Sequence, residues 1–470
     1  MQAITTHYID GEAVDSHGRE VMDIVNPANE RIIGQVTLGD DEDARRAIAA
    51  AKRAFATFSQ TTREERIELL RRLHKAVLAR ADDLTNIMVE EYGGVVQFVA
   101  PIVQAAADVF LAAEQALQGL PLVRTWGSTT VTLEPVGVAG LITPWNANAM
   151  FLCMKLSSAI AAGCTAVVKP SELSSLQTQV WLECLRAANL PKGVCNVVIG
   201  RGEVVGAEMV RSPDVAKISF TGSAAVGRTI MRDGAATMKR VTLELGGKSP
   251  NIILDDADLA RAIPLALSIG FMNSGQACLA GTRLLAPKSR LDDVRRALAD
   301  FMPAFAAGNP ADPKTGVGPM VNLKQWDRVQ AYIRKGIEEG AEVLAGGEGH
   351  PPGLETGFFV KPTVFLGTND MAIAREEIFG PVLTVIPYED DEDAIRIAND
   401  TEYGLHGYVS GADIERARRV ASRIRAGRVA INGLLDDPLA PFGGFKSSGI
   451  GREFGAYGIE AFLEPRAILE

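Results

Sequence analysis

Polar and apolar positions change period repeatedly along this 470-residue chain. Short β-rich runs at 8–9 and 21–24 come first and stop at Asn26-Pro27, because a residue before proline is pushed away from helical geometry. Then Ala44, Ala47, Ile48, Ala51, Phe55 and Phe58 recur at helical spacing, as do Ile67, Leu70, Leu73 and Val77, with Arg, Lys and Glu on the opposite faces. These predict amphipathic helices lying on a larger body. From residue 136, β-rich runs at 138–142, 166–169, 197–199, 218–220 and 251–254 alternate with helical stretches, the pattern of a parallel sheet covered on both faces. A second series has strands predicted at 283–286, 363–365, 382–387 and 428–432, with helices near 289–305, 323–339 and 391–399. Two α/β domains follow, with no low-complexity linker between them. Residues 123–133 alternate β-branched and polar positions without a helix to cover them, which predicts an exposed strand needing a partner edge.

Composition narrows the functional classes. Apolar residues make up 47% of the chain and charged residues 23%, which disfavours disordered and coiled-coil readings. Lys and Arg number 48 against 58 Asp and Glu, a net charge of −10 without a basic stripe, so neither nucleic acid nor an anionic membrane is an expected partner. The longest apolar runs are interrupted by Pro, Gly or Lys, and the first residues lack a basic segment leading into an apolar stretch; neither a membrane span nor a secretion signal is expected. The five cysteines, Cys153, Cys164, Cys184, Cys195 and Cys278, form no CxxC pair and no Cys/His metal spacing. No metal site is expected, and a cytoplasmic, reducing compartment is.

Several short segments carry candidate chemistry. Residues 218–220 followed by Thr221-Gly222-Ser223 read as a strand, a turn and a helix start, which offers unpaired amides to an anion such as a pyrophosphate. Lys169 and Glu172 fall at the carboxyl end of a buried strand, where open α/β sheets bind ligands and a carboxylate suits ribose hydroxyls. Cys278 follows Gly275-Gln276-Ala277, a small-residue turn that leaves a thiol accessible, whereas the other four cysteines sit in apolar or helical runs and read as core. None of the five His stands in a recognisable Cys–His arrangement. Glu244, ending a β-rich run among apolar neighbours, is the alternative base for the thiol, since such surroundings raise a carboxyl pKa toward neutrality. Asn146, in Pro144-Trp145-Asn146, offers a side-chain amide to a developing oxyanion.

Taken in order, Pro144-Trp145-Asn146, Lys169-Pro170-Ser171-Glu172, Phe220-Thr221-Gly222-Ser223, the segment 244–250 (ELGGKSP), Gly275-Gln276-Ala277-Cys278, the segment 376–381 (EEIFGP) and the segment 441–449 (PFGGFKSSG) resemble the motif set of the NAD(P)-dependent aldehyde dehydrogenase superfamily. The resemblance runs from Tyr8-Ile9-Asp10-Gly11 to the end of the chain. It implies a Rossmann-like cofactor domain (1–116 and 134–247), an α/β catalytic domain (248–442) and a β-bridging arm (117–133 and 443–470) that builds homodimers or homotetramers. It also implies that Cys278 is the nucleophile, Glu244 the general base, and Asn146 with the Cys278 amide the oxyanion hole. Lys169 and Glu172 would hold the adenosine ribose, Ser223 the pyrophosphate, and Glu377 and Phe379 the nicotinamide end. Thr143, Trp145, Gly202, Gly206, Phe220, Val226 and Leu245 would complete the cofactor site, and Lys155 and Glu453 would lie near a proton-release path.

By this resemblance, the activity is oxidation of a small-molecule aldehyde to its carboxylic acid through a cysteine thiohemiacetal and thioester, the latter hydrolysed with Glu244 as base. A non-catalytic nucleotide-binding relative and a coenzyme A-acylating enzyme are the alternatives. Glu172 would repel a 2′-phosphate and no Arg follows it before Arg186, so NAD is expected, with NADP left open. Tunnel positions appear as Phe151, Met154, Ala277, Leu279, Leu434 and Leu435, with residues around 95–98. No Arg clamp for a carboxylate and no aromatic cage for a quaternary ammonium is visible, so a neutral, hydrophobic aldehyde of medium aliphatic chain or with an aryl group is expected. Two departures from the family pattern, Ala147-Asn148-Ala149-Met150 and Glu91-Tyr92-Gly93-Gly94, are expected near the tunnel mouth.

Overall fold

The structure is a computed structural model that describes residues 2–434 and 437–469. It is an α/β fold built on two large sheets. The first runs in the order Gly449–Ile450, Arg240–Glu244, Val215–Thr221, Val138–Ile142, Thr165–Lys169, Cys195–Val197, Thr6–Ile9, Glu12–Asp15. Its middle five strands are parallel, and antiparallel strands close both edges. Val138–Ile142 and Thr165–Lys169 are buried at every position, as expected of strands covered on both faces.

The second sheet runs Glu342–Ala345, Thr363–Leu366, Val382–Tyr388, Arg283–Pro287, Pro250–Ile253, His406–Ser410, Arg428–Ile431. All neighbours are parallel except the first pair. His406–Ser410 was not foreseen as a strand: its sequence, HGYVS, offers no apolar run, yet it is buried between two neighbours.

Helix Val96–Gly119 corrects the expectation that every apolar run stops short. It continues for 24 residues through Pro101 and is long and apolar enough, by length and composition, to cross a membrane. Here it packs against Arg63–Leu78 and Asn148–Ala162, and this packing offsets the backbone bond that proline removes.

Residues 123–133 form a hairpin, Val123–Trp126 and Thr129–Pro135, turned at Gly127 with φ 63° and extended by Leu463–Ile468. Trp126 is 69% exposed at its tip. The intervening strand Gly449–Ile450 belongs to the first sheet instead, paired with Leu243 and Glu244.

Candidate active site

Four of the sequence motifs leave the carboxyl edge of the first sheet side by side. Trp145 and Asn146 follow Val138–Ile142, Glu172 follows Thr165–Lys169, Ser223 follows Val215–Thr221, and Glu244 ends Arg240–Glu244. From Val138–Ile142 the chain first builds strands on one side, Thr165–Lys169 and then Cys195–Val197, and later returns to place Val215–Thr221 on the other. The crevice between Val138–Ile142 and Val215–Thr221 is therefore the topological switch point, where such sheets bind ligands. Cys278 precedes Arg283–Pro287, and Glu377 and Phe379 precede Val382–Tyr388, so these come from the amino edge of the second sheet.

The two edges enclose two cavities. One, of about 360 Å³, is the more polar of the two and is lined by Trp145, Ser223, Glu244, Leu245, Glu377 and Phe379. The other, of about 190 Å³, is apolar and lined by Phe98, Met150, Met154, Leu279, Phe442 and Phe454, among others. Asn146, Phe151 and Cys278 line both. A third, open groove of about 640 Å³ holds Glu172 and Arg201 and shares Trp145, Lys324, Gln325 and Arg328 with the polar cavity.

Cys278 is half-buried, and the other four cysteines are buried. Its thiol is pushed up to about 12, first by burial and then by the negative charges of Glu377 and Glu244; the amides of Cys278 and Leu279 act in the opposite sense. Glu244 is pushed well above the usual carboxylate range by burial and by Glu453. Neither of its oxygens has a hydrogen-bond partner among the described residues, an expensive state for a group with no use. Glu377 is raised to about 7 by burial, which the Gly247 amide (3.1 Å) and Lys248 oppose. Gly246 is required for this approach: a Cβ there would lie 2.2 Å from Glu377 Oε2.

The loop carrying Cys278 is held in strained backbone. Asn273 (φ 50°) and Ser274 (φ 59°) are consecutive left-handed residues other than glycine, at roughly 1–2 kcal/mol each. Side chains compensate. Ser274 Oγ accepts from the Gly318 amide (2.8 Å), while Gln276 donates to the Pro319 carbonyl (3.2 Å) and accepts from the Val321 amide (3.0 Å). Asn146 Nδ2 donates to the Gln276 carbonyl (3.0 Å), which ties the two edges together beside the sulfur.

On the cofactor side, Ser223 caps helix Ala224–Gly234 by accepting from the Val226 amide (3.4 Å); Val226 is exposed. Gly202 and Gly206 bound the short turn after Arg201, Phe220 is core, and Thr143 donates to Asn148 Oδ1 (2.9 Å). Lys155 and Glu453 line neither cavity. They form a buried ion pair (2.5 Å), and Ser219 Oγ accepts from Lys155 and donates to Glu453, each at 3.0 Å. Leu434 and Ala277 line the apolar cavity, and Leu435 lies outside the described residues.

Two arginines correct the sequence reading. Glu172 is flanked by Lys169 (3.2 Å) and by Arg201 (3.9 Å), because Cys195–Val197 lies beside Thr165–Lys169 and the loops after neighbouring strands meet. A search for an Arg just downstream in sequence misses it. Arg428 lines the apolar cavity, where no Arg was visible from sequence. Its guanidinium donates to the Asp437 (2.9 Å) and Pro441 (2.9 Å) carbonyls and lies over the Phe442 and Phe454 rings, so it braces a loop. Ala147 and Met150 line the apolar cavity as expected, and Phe442 enters it from the 441–449 motif, whereas Met272, His406 and Phe454 were missed; they come from distant segments and carry no local motif.

Comparison with known proteins agrees along the whole chain. The family model described as the aldehyde dehydrogenase family matches residues 13–468. A 3-succinoylsemialdehyde-pyridine dehydrogenase from a Pseudomonas species is 44% identical, over 100% of this chain and 99% of its own length. Among solved structures, a cysteine-to-alanine variant of aldehyde dehydrogenase C from Pseudomonas syringae, in complex with NAD+ and octanal, superposes with a TM-score of 0.97 at 44% identity, covering 99% of this chain and 96% of that one. Betaine aldehyde dehydrogenase from Staphylococcus aureus with NAD+ gives 0.96 at 36%, covering 99% and 94%.

Proposed function

The chain belongs to the aldehyde dehydrogenase family, and from that premise we propose that it oxidises a neutral, hydrophobic aldehyde, of medium aliphatic chain or bearing an aryl group, to its carboxylic acid with NAD. The observation that carries this reading is Cys278 standing on the wall between a polar and an apolar cavity. Such a thiol reaches a cofactor on one side and an aldehyde tail on the other.

The residues fit a dinucleotide. Glu172 offers an acceptor for ribose hydroxyls, the Ser223-capped helix offers an N-terminus, and Glu377, Trp145 and Phe379 offer an acceptor and aromatic faces at the far end. NAD, when bound, supplies the acceptor for the hydride that leaves the aldehyde carbon.

With its thiol near 12, resting Cys278 carries its proton at neutral pH and hands it to the Glu244 carboxylate, which lines the same cavity, as the carbon–sulfur bond forms. Asn146 Nδ2 and the Cys278 amide hold the resulting alkoxide. The acyl group is left on Cys278 as a thioester. Glu244, which has no hydrogen-bond partner among the described residues, sheds its proton and, as the carboxylate, draws one from water, and the acid is released by hydrolysis. Lys155 and Glu453 lie behind Glu244, where Glu453 tunes its charge.

The apolar lining supports the substrate class, as does octanal in the similar Pseudomonas syringae enzyme and the pyridine-bearing aldehyde in the name of the other relative. A homo-oligomer joined through the exposed hairpin 123–135 and a cytoplasmic location complete the reading. The test is a panel of octanal, benzaldehyde, succinic semialdehyde and betaine aldehyde, followed by NADH absorbance with NAD and with NADP and without coenzyme A. Octanal and benzaldehyde should lead in kcat/KM by roughly 10-fold or more; a preference for either charged aldehyde rejects the substrate class.

A further inference from the structure

Helix Ala81–Tyr92 ends in two buried residues, Glu91 and Tyr92, that line neither cavity and sit behind the site, not at the tunnel mouth as the sequence suggested. Glu91 accepts from the Leu176 (2.6 Å) and Gln177 (3.0 Å) amides, shortly after Glu172. Tyr92 serves the opposite edge. Its hydroxyl donates to Asn273 Oδ1 (3.3 Å), and the Ala147 amide faces its oxygen. Asn273 Nδ2 donates to the Gln276 carbonyl (3.1 Å), and the same carbonyl accepts from Asn146 Nδ2 (3.0 Å). A ring therefore closes through Tyr92, Asn273, Gln276, Asn146 and Ala147, the last two being consecutive in the chain.

Two members of this ring, Ala147 (φ 49°) and Asn273 (φ 50°), hold the left-handed backbone, a conformation that persists only where the surroundings impose it. The Tyr92 ring supplies packing as well as a hydroxyl. It lies 5.9 Å from Trp145, and a Cβ at Gly94 would come within 2.5 Å of the phenolic oxygen.

We infer that Tyr92 is a positioning residue that sets the Asn146 side chain against Cys278, so that one Nδ2 hydrogen stays on the Gln276 carbonyl and the other points to the developing alkoxide. The inference rests on the proposed role of Asn146. Without the hydroxyl, Asn273 loses a donor and the Gln276 carbonyl loses its anchored partner. The amide plane of Asn146 then drifts, and drift of a fraction of an ångström is costly where a donor must meet charge only in the transition state. Packing of the ring is unaffected.

The experiment compares Tyr92→Phe in two backgrounds, with octanal and NAD, reading the pre-steady-state burst of NADH. In the otherwise native enzyme the burst rate should fall about 10-fold while KM for octanal and Kd for NAD change by less than about 2-fold. In the Asn146→Ala background the same substitution should cost less than about 2-fold, because there is no amide left to position. An equal loss in both backgrounds, a burst rate within about 2-fold of native, or a Kd for NAD that moves with the rate overturns the inference. Asn146→Ala alone reports on the underlying reading: if it keeps its burst rate, the oxyanion assignment falls and takes this inference with it.

Discussion

The two cavities that meet at Cys278 are built on opposite principles. The polar one collects groups that are costly to bury alone: Glu244, with both oxygens unpartnered among the described residues, and Glu377 raised to about 7 over a glycine that leaves it room. The apolar one collects mostly aliphatic, thioether and aromatic side chains; its polar members, Asn146, Asn273 and His406, are hydrogen-bonded to backbone carbonyls, and its guanidinium, that of Arg428, braces loop carbonyls and aromatic rings. On the proposed reading, orphaned polar groups mark where the reaction is carried out, and shape and volume mark where a substrate is chosen, so that reaction and selectivity should be separable by mutation.

The largest effect lies on the shared wall. Cys278→Ala should lower aldehyde oxidation by roughly 10³-fold or more, measured as NADH formation, with NAD binding retained. Next comes the polar side, where Glu244→Gln should leave one equivalent of NADH formed per site and then slow turnover by about 10²–10³-fold, as hydrolysis loses its base. A smaller effect belongs to the apolar side: Phe98→Ala should cut kcat/KM for octanal about 10-fold and leave acetaldehyde within about 2-fold. If acetaldehyde suffers equally, the separation of the two cavities is wrong.

A pH effect follows from Glu377. Its raised value means that the carboxylate, the form that would accept from ribose hydroxyls on the proposed reading, is lost as pH falls through about 7. NAD affinity should rise between pH 6 and pH 8, by about 10-fold at most, and Glu377→Gln should flatten the profile. Smallest is Arg201→Ala, which should weaken NADP binding a few-fold by calorimetry and leave NAD nearly unchanged, because only a 2′-phosphate gives that guanidinium a new partner.

Much of this was legible in the chain. Strands in the first sheet announced themselves through buried apolar runs such as 138–142, and short motifs singled out Cys278, Glu244 and Asn146, which the fold brings to one cavity. What stayed hidden was contact between segments far apart in sequence. Arg201 reaches Glu172 because two strands are neighbours, and Tyr92 reaches Asn273 across 181 positions. His406–Ser410 lacked an apolar run because burial between two parallel neighbours, not its own composition, makes it a strand. Pro101 misled in the other direction, since packing on two helices kept Val96–Gly119 intact.

The most direct measurement is stoichiometric alkylation with iodoacetamide, with peptide mapping, NADH formation and NAD binding followed together. Label should collect on half-buried Cys278 ahead of the four buried cysteines, and oxidation of octanal should vanish in proportion while the dinucleotide still binds. Full activity in protein whose Cys278 is completely alkylated would contradict the account at its centre.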